Sequence, residues 1–533
     1  MSEEWAPSKH GREGGNLQKR VARGLMWTVI DTWGSQLLAL LVFAILARLL
    51  QPVDFGLVAL AAVFVALGQL FVDQGLGDAV IQRPTLTRQQ LSTAFWAALV
   101  TGTLLCLGGV LLAPIIARLL GDQRLEPILQ VLSLVFVLVA FSSIQIGLLR
   151  REMNFRGLAL RKLLAIAIGG AVGIALASSG AGPWALVGQQ LANAIVSVAM
   201  LWAASPFRPS LSFSLSDFRS LFGFGVNVVV GDLMGFFSRN TDNLLIGVFL
   251  GPVPLGFYAV AYRILDTSQV LLVAAARRLV FPTFARLQHD LDRARRAYLR
   301  VARSSSALTL PGYVGLALVA QEAIVVVFGQ RWAPSATAAS ILFTIGPVLS
   351  LQAFSGAVWN AVGRPGVTLR FRLITTVTNV VGFVLAVFLF ANIVAVAAAF
   401  AIRAYLLLPL NLYWMRRYAG VPVRDQLLQW RGIAIATLLM GLAVVGTKLA
   451  LLGQVHTAVL LAAEVAVGVV VYGATLWLVE RTLMKELIGV VLQVVPGGER
   501  LASRLGIKLD TQRRGAVPAS VGEEILIEET EDD

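Results

Sequence analysis

The sequence predicts an all-α membrane protein with about 14 transmembrane helices, arranged as two parallel-repeat six-helix lobes and two C-terminal helices. Three observations support this fold class. Only 14% of the 533 residues are charged and the mean hydropathy is +0.77, whereas soluble domains carry about 25% charged residues. Apolar runs recur up to about residue 480, each near the ~20 residues that cross a bilayer. A motif at the end of the first run also reappears two hundred residues later.

Charge and composition exclude several other classes of protein. The net charge of +14 would suggest nucleic acid in a soluble protein, but here the basic residues lie in short connections between apolar runs. We therefore expect no nucleic-acid partner. The single cysteine, Cys106, excludes an intramolecular disulfide, and His10, His289 and His456 lie in unrelated segments. We expect no catalytic residue, no metal site and no cofactor.

The apolar runs define the expected spans, and the connections between them are too short for an extramembrane catalytic domain. A membrane enzyme would need such a domain with reactive residues, so we do not expect an enzyme. The spans are 22–48, 55–75, 91–117, 127–149, 161–179, 183–203, 219–249, 254–280, 304–328, 335–361, 367–390, 393–415, 431–451 and 455–479.

Basic residues alternate along these connections and predict the topology. The N-terminal tail and every second connection are rich in Lys and Arg, whereas 178–182, 251–254 and 391–392 carry no charge. Cytoplasmic loops of membrane proteins carry such an excess of basic residues. Both termini are therefore expected in the cytoplasm, with an even number of spans.

An internal repeat indicates how the spans are grouped. Residues 50–59 (LQPVDFGLVA) and 250–259 (LGPVPLGFYA) are identical at five of ten positions, and Val80 recurs as Val280. Six helices separate the copies, so both enter the membrane in the same direction, as in transporters built from parallel repeats. We expect a cytoplasmic tail (1–20), an N-lobe (21–212), a C-lobe (213–420), two further spans (421–480) and a cytoplasmic tail with an acidic end (481–533). In that tail, 483–495 is amphipathic.

Polar residues inside the seventh and eighth spans give the candidate substrate cavity. Charges at membrane depth usually face a cavity or a partner. Those of the seventh span recur at three- and four-residue spacing on one face, and the eighth span runs back alongside it. This set is either a structural ion-pair cluster or the wall of a polar cavity. Its expected members are Arg239, Asp242, Asn243, Arg263 and Asp266.

Two aspartates are candidates for coupling to a cation. Asp31 lies on one face of the first span with Thr28 and Ser35, and Asp232 begins the polar stripe of the seventh span. A carboxylate in such a position can take up a proton or a sodium ion. An Asp31 that is merely satisfied by water is the competing interpretation.

Short motifs carry a resemblance to a known family. The sequence resembles the polysaccharide transporter branch of the multidrug/oligosaccharidyl-lipid/polysaccharide exporter superfamily, the Wzx-type flippases, and looks closest to the colanic-acid and exopolysaccharide exporter group. The resemblance covers roughly residues 20–480, and Pro254 departs from its pattern. The motifs are 47–50 (ARLL) with Pro52, 54–56 (DFG), 73–77 (DQGLG), 81–83 (IQR), 238–240 (SRN), 242–247 (DNLLIG), 255–258 (LGFY), 261–263 (AYR) and 281–282 (FP).

The resemblance implies a function. An undecaprenyl-diphosphate-linked oligosaccharide would cross a bacterial inner membrane between the two lobes, driven by a cation gradient, for exopolysaccharide or lipopolysaccharide biosynthesis. Arg239 and Arg263 would contact the diphosphate or an acidic sugar, since guanidinium binds phosphate oxygens bidentately. Membrane lipid, a polysaccharide polymerase and export machinery are the further expected partners. A drug/cation antiporter of the same superfamily and a lipid-linked peptidoglycan-precursor flippase are the alternatives.

Overall fold

The computed structural model describes Trp27 and residues 30–73, 87–285 and 291–494. It describes the backbone alone at residues 73, 219–230, 273–285, 291–294 and 490–494. Several predicted features lie outside the described residues: the tail 1–20, Thr28, most of the motif 73–77, the motif 81–83 and the acidic C-terminal end.

Helices make up nearly all of the described chain. A π-helical turn, Ile30–Gly34, leads into α1, and a 3₁₀ turn, Gln330–Trp332, precedes α12. The helices are α1 Ser35–Leu49, α2 Pro52–Asp73, α3 Arg88–Leu119, α4 Leu125–Leu132, α5 Leu134–Arg151, α6 Phe155–Ser178, α7 Trp184–Ala204, α8 Leu215–Phe249, α9 Pro252–Ala285, α10 Leu291–Leu318, α11 Ala320–Phe328, α12 Ala333–Phe343, α13 Gly346–Gln352, α14 Ser355–Ala361, α15 Pro365–Phe390, α16 Ile393–Ala419, α17 Val423–Leu428, α18 Arg431–Leu451, α19 Thr457–Val479 and α20 Arg481–Val494.

The length and apolarity of these helices confirm an all-α, multi-pass membrane protein. Among the described residues, ten helices are long and apolar enough to span a membrane, or twelve if each of two bent pairs is one span. The long helices α8 and α9 are not in that set. The last nineteen residues of α8 contain three charged residues, Asp232, Arg239 and Asp242. The count of fourteen spans stays a prediction, and the two helices outside the set are those with the candidate cavity residues.

The two repeats touch each other reciprocally where α2 and α9 begin. A Cβ atom added at Gly56 would lie 1.7 Å from the carbonyl oxygen of Pro252, and one added at Gly256 would lie 1.9 Å from that of Pro52. The two contacts pair equivalent positions of the two repeats, which are two hundred residues apart in the sequence. A two-fold relation between the repeats requires such a pair. Because only glycine lacks a Cβ, these positions allow the two backbones to meet. We call this end of the bundle the Pro52 end.

Further contacts close the Pro52 end. The indole Nε1 of Trp332 donates to the carbonyl oxygen of Ala47 at 2.7 Å, and Arg331 Nη1 donates to that of Leu50 at 3.0 Å. Arg48 Nε donates in turn to the carbonyl oxygen of Val327 at 2.9 Å. These bonds satisfy carbonyl groups at the C-terminal ends of α1 and α11, which have no partner within their own helices.

The last helices pack on a broken helix of the second repeat. The chain bends by 73° between α10 and α11 and by 40° between α12 and α13, where the sequence predicted continuous spans. Lys448 of α18 pairs with Glu322 of α11 at 2.8 Å. Arg303 of α10 pairs with Glu480, which follows α19. Leu483 of α20 is buried in a hydrophobic cluster with residues of α10, α18 and α19, among them Ala307, Ile433 and Leu476. The predicted amphipathic stretch therefore belongs to a helix docked on the bundle.

Candidate functional site

A cavity of about 600 Å³ lies where α8 and α9 of the second repeat face α2 and α5 of the first. We call it the inter-repeat cavity. Of the seven predicted site residues, the structure brings five to its wall, while Asp242 and Asp31 are not among its lining residues. The five are Asp232, Arg239, Asn243, Arg263 and Asp266.

Local geometry explains why these residues meet. Asp232, Arg239 and Asn243 are spaced by seven and four residues, so they share one face of α8. The chain then reverses at Gly251, whose φ of +90° is readily adopted by glycine. The reversal lays α9 antiparallel to α8, and Arg263 and Asp266 come to the same cavity.

The charges of the inter-repeat cavity face open space. In the part of the chain that the structure describes, no ion pair joins Arg239 or Arg263 to Asp232 or Asp266. Arg263 lies 5.9 Å from the ring centre of Phe43, and its buried Nε has no hydrogen-bond partner. An unsatisfied buried donor costs about 1–3 kcal/mol, and an anion could satisfy this one. Of the two interpretations of the cluster, this geometry favours the cavity wall.

Asp242 lies behind the wall and is only 1% exposed. One carboxylate oxygen accepts a hydrogen bond from the hydroxyl of Tyr258 at 2.8 Å, and the other accepts from the backbone N–H of Asn243 at 2.8 Å. Successive residues of a helix point about 100° apart. Asn243 therefore reaches the cavity while Asp242 turns towards α9 and holds the two helices together.

Asp31 lies in the π-helical turn before α1 and is paired with α6. Its carboxylate is 3.7 Å from Lys162 Nζ and also interacts electrostatically with Arg161. Ser35 donates to the backbone carbonyl of Asp31. The structure thus gives Asp31 a basic environment in the first repeat, apart from the charges of α8 and α9.

The protein's family follows from comparison with known proteins. Residues 45–337, more than half of the chain, match the family described as "Polysaccharide biosynthesis protein". The chain belongs to this family. This result confirms the resemblance stated from the sequence motifs.

Two relatives are similar to this chain over a longer part of its length. The succinoglycan biosynthesis transport protein ExoT of Rhizobium meliloti is 27% identical over 88% of this chain and 95% of its own. The lipopolysaccharide biosynthesis protein WzxC of Escherichia coli is 24% identical over 68% of this chain and 74% of its own. The similarity to ExoT therefore spans nearly the whole of both chains.

A solved structure shows the fold that this polysaccharide biosynthesis protein shares. The structure of the lipid II flippase MurJ in an inward closed conformation superposes with a TM-score of 0.69. It covers 86% of this chain and 100% of MurJ at 14% sequence identity. At that identity the likeness establishes the architecture alone.

Sequence reasoning missed several cavity residues of this polysaccharide biosynthesis protein. Gln69, Phe236 and Tyr262 also line the inter-repeat cavity, and Arg403 of α16 lies close enough to Tyr262 to act on it electrostatically. The signal for Gln69 was present, since it is a polar residue within the apolar run of α2. Phe236 and Tyr262 carried no such signal, because an aromatic residue in a span serves equally well in a packed core.

Proposed function

We propose that this protein carries undecaprenyl-diphosphate-linked oligosaccharide units across the bacterial cytoplasmic membrane for polysaccharide biosynthesis. The observation that carries the proposal is the inter-repeat cavity, whose arginines and aspartates face open space between the repeats of a member of this family. Such a cavity offers charged and amide groups to a polar headgroup, while the lipid tail would stay in the bilayer.

The proposed transport cycle is alternating access between an N-lobe (21–212) and a C-lobe (213–420), with 421–480 as two accessory spans. The alternation of basic connections favours a cytoplasmic location for both termini, and in this cycle the Pro52 end faces outward. The contacts of Gly56 with Pro252 and of Trp332 with Ala47 then form a closed outer gate. Substrate would enter the cavity from the inner leaflet and leave when these contacts part.

Each candidate residue has a proposed role. Arg239 and Arg263 bind the diphosphate or an acidic sugar, while Asn243 and Asp266 bind sugar hydroxyls. Asp242 positions α8 against α9 through Tyr258. Asp31 and Asp232 are the proposed sites of cation coupling, and a polysaccharide polymerase would receive the translocated unit.

Transport in reconstituted vesicles tests this function. The purified protein is placed in vesicles that contain a fluorescent undecaprenyl-diphosphate-linked oligosaccharide, and a glycosidase added outside reports how much substrate has reached the outer leaflet. We expect the protein to accelerate exposure, and Arg239→Gln with Arg263→Gln to abolish the acceleration. Arg156→Gln is the matched control, since Arg156 stacks on Trp27 and does not line the inter-repeat cavity.

Two results would contradict the proposal. Vesicles with folded wild-type protein that expose the oligosaccharide no faster than empty ones would exclude this substrate. Acceleration with a lipid-linked peptidoglycan precursor alone, or extrusion of a cationic drug alone, would support one of the two alternatives instead.

A further inference from the structure

A second cavity of about 440 Å³ lies among α5, α6 and α7, beside Gln69 of α2. We call it the Arg161 pocket. Its lining is rich in polar side chains drawn from three helices of the first repeat. They include Ser142, Arg150, Arg161, Gln190, Asn193 and Ser197.

The charge of the Arg161 pocket differs from that of the inter-repeat cavity. Two arginines and no carboxylate line the pocket, whereas two arginines and two aspartates line the inter-repeat cavity. Asp31 is the carboxylate that acts on Arg161, and it is shared with Lys162. Because Asp31 is shared between Arg161 and Lys162 and does not line the pocket, the two arginines leave the pocket with an excess of positive charge.

Arg161 has an unused hydrogen-bond donor. Its Nη1 donates to the hydroxyl of Ser197 at 3.2 Å, while its buried Nε has no partner. A guanidinium presents its donors in a planar fork that matches the two oxygens of a carboxylate or a phosphate. Arg150, which is exposed, lies near enough to repel Arg161 electrostatically. Two neighbouring cations with a free donor favour the binding of an anion.

The Arg161 pocket adjoins the inter-repeat cavity. Gln69 of α2 and Val139 of α5 line both of them. These two residues form a shared wall, so the Arg161 pocket lies next to any ligand that fills the inter-repeat cavity. The amide and hydroxyl groups of Gln190, Asn193 and Ser197 are suited to sugar hydroxyls, because each can both donate and accept.

We propose that the Arg161 pocket binds an oxyanion of the transported molecule, through Arg161 and Arg150. The oxyanion is either a phosphate of the lipid headgroup or a carboxylate of an acidic sugar. This inference rests on the proposed function and adds a second anion-binding site to it. It gives the protein a preference for substrates whose anionic group reaches the first repeat while the rest occupies the inter-repeat cavity.

Binding to the full-length protein in phosphatidylethanolamine nanodiscs tests the inference and identifies the source of the oxyanion. One arm titrates undecaprenyl diphosphate, and the other titrates a soluble oligosaccharide with a glucuronic acid unit against its neutral glucose counterpart. We expect Arg161→Gln and Arg150→Gln each to weaken binding about tenfold or more, since charge-assisted hydrogen bonds are the strong ones. Weakening in the first arm identifies a phosphate, and weakening in the second identifies a sugar carboxylate.

Control variants keep the test decisive. Arg156→Gln removes the same charge from the same connection outside the pocket and should bind like the wild type. Arg161→Gln could fail to fold. Arg150→Gln then still tests the pocket, because Arg150 is exposed and its replacement leaves no buried gap. Wild-type affinity of the folded Arg150→Gln and Arg161→Lys variants in both arms would overturn the inference. The vesicle assay separates this failure from that of the proposed function, because the wild type would still transport.

Discussion

The two repeats share glycine where their backbones touch and differ in the turn residues beside that contact. Pro52 and Gly56 contact Gly256 and Pro252 in a reciprocal pair, and all four residues are conserved in type between the repeats. Position 54 is Asp in the first repeat and Pro in the second, and the residue before the shared proline is Gln51 in one and Gly251 in the other. Steric contact thus accounts for the shared glycines at 56 and 256, while the turn residues 51 and 54 differ from 251 and 254.

The helices behind this contact differ more deeply. At an offset of two hundred residues, Asp242 and Tyr258 of the second repeat correspond to Val42 and Val58 of the first, all four of them buried. The second repeat therefore has a hydrogen bond where the first has apolar packing. The second repeat also supplies both arginines of the inter-repeat cavity, and the first supplies those of the Arg161 pocket. Each repeat has its own basic site, built from different helices.

The largest expected effect comes from filling the reciprocal contact. Gly56→Ala and Gly256→Ala would each place a methyl group within 2 Å of a backbone oxygen, which cannot move without shifting a helix. Overpacking of this kind costs about 1–3 kcal/mol, and it would also keep the Pro52 end from closing. We expect vesicle transport to fall to roughly a tenth or less, together with a lower midpoint of thermal unfolding.

A mid-helix glycine with free space around it provides the control. Gly446 of α18 has no atom within 4 Å of an added Cβ, so Gly446→Ala should leave transport unchanged and should not lower the midpoint of thermal unfolding. If the contact is reciprocal, Gly56→Ala and Gly256→Ala should also behave alike. A severe loss with Gly56→Ala beside normal behaviour of Gly256→Ala would show that the contact is not reciprocal in the working protein.

Much of the fold could be predicted because length and apolarity determine where a span lies. The predicted spans 393–415 and 431–451 correspond to α16, Ile393–Ala419, and α18, Arg431–Leu451. The bends near Val319 and Thr344 could not be predicted in the same way. A run of apolar residues satisfies the bilayer whether it is straight or bent, so packing against other helices decides the bend.

The candidate site was predicted less completely, because a sequence pattern gives the face of a helix but not its neighbour. Arg150 and Arg161 flank one of the basic connections from which the topology was predicted, and nothing in the sequence placed them in a common pocket. The turn at Met153, with φ of 55°, reverses the chain so that both arginines line one pocket. In α8 the three- and four-residue spacing gave the right face for Arg239, and it could not show that Tyr258 would turn Asp242 away from the cavity.

An intermediate effect is expected from the hydrogen bond that distinguishes the second repeat. Tyr258→Phe removes the side-chain donor to the buried carboxylate of Asp242, which then keeps backbone donors such as the N–H of Asn243. Loss of one hydrogen bond to a buried charged group costs about 1–3 kcal/mol, so the midpoint of thermal unfolding should fall by several degrees. Asp242→Asn should cost less, since an amide oxygen can still accept from Tyr258.

Tyr262, one turn further along α9, provides the matched control because it lines the inter-repeat cavity. Tyr262→Phe should leave the unfolding midpoint near that of the wild type. Equal destabilisation by the two Tyr→Phe changes would mean that the bond between Tyr258 and Asp242 contributes nothing specific. The second repeat would then be held by apolar packing, as the first is.

The smallest expected effect tests the divergent turns. In the turn of the second repeat, Gly251 has φ of +90°. In the first repeat, Leu50 ends α1 and enters the turn in an extended conformation, with φ of −97° and ψ of 166°. A side chain in the left-handed region costs about 1–2 kcal/mol, whereas nothing requires glycine at Gln51. The exchange of the two residues should therefore be asymmetric. Gly251→Gln should lower the unfolding midpoint by a few degrees and Gln51→Gly by less.

Steric space does not limit either substitution, so backbone conformation is the cause of any difference in stability between them. An added Cβ at Gly251 has no atom within 4 Å, and the N–H of Gln51 that donates to Asp54 Oδ2 at 2.9 Å belongs to the backbone and survives the change. Gly251→Asn separates conformation from side-chain size, since asparagine tolerates left-handed angles better than glutamine. It should recover part of the loss. If Gly251→Gln and Gln51→Gly are equally mild, both turns adopt the same backbone in the membrane, and the divergence between the repeats is confined to their side chains.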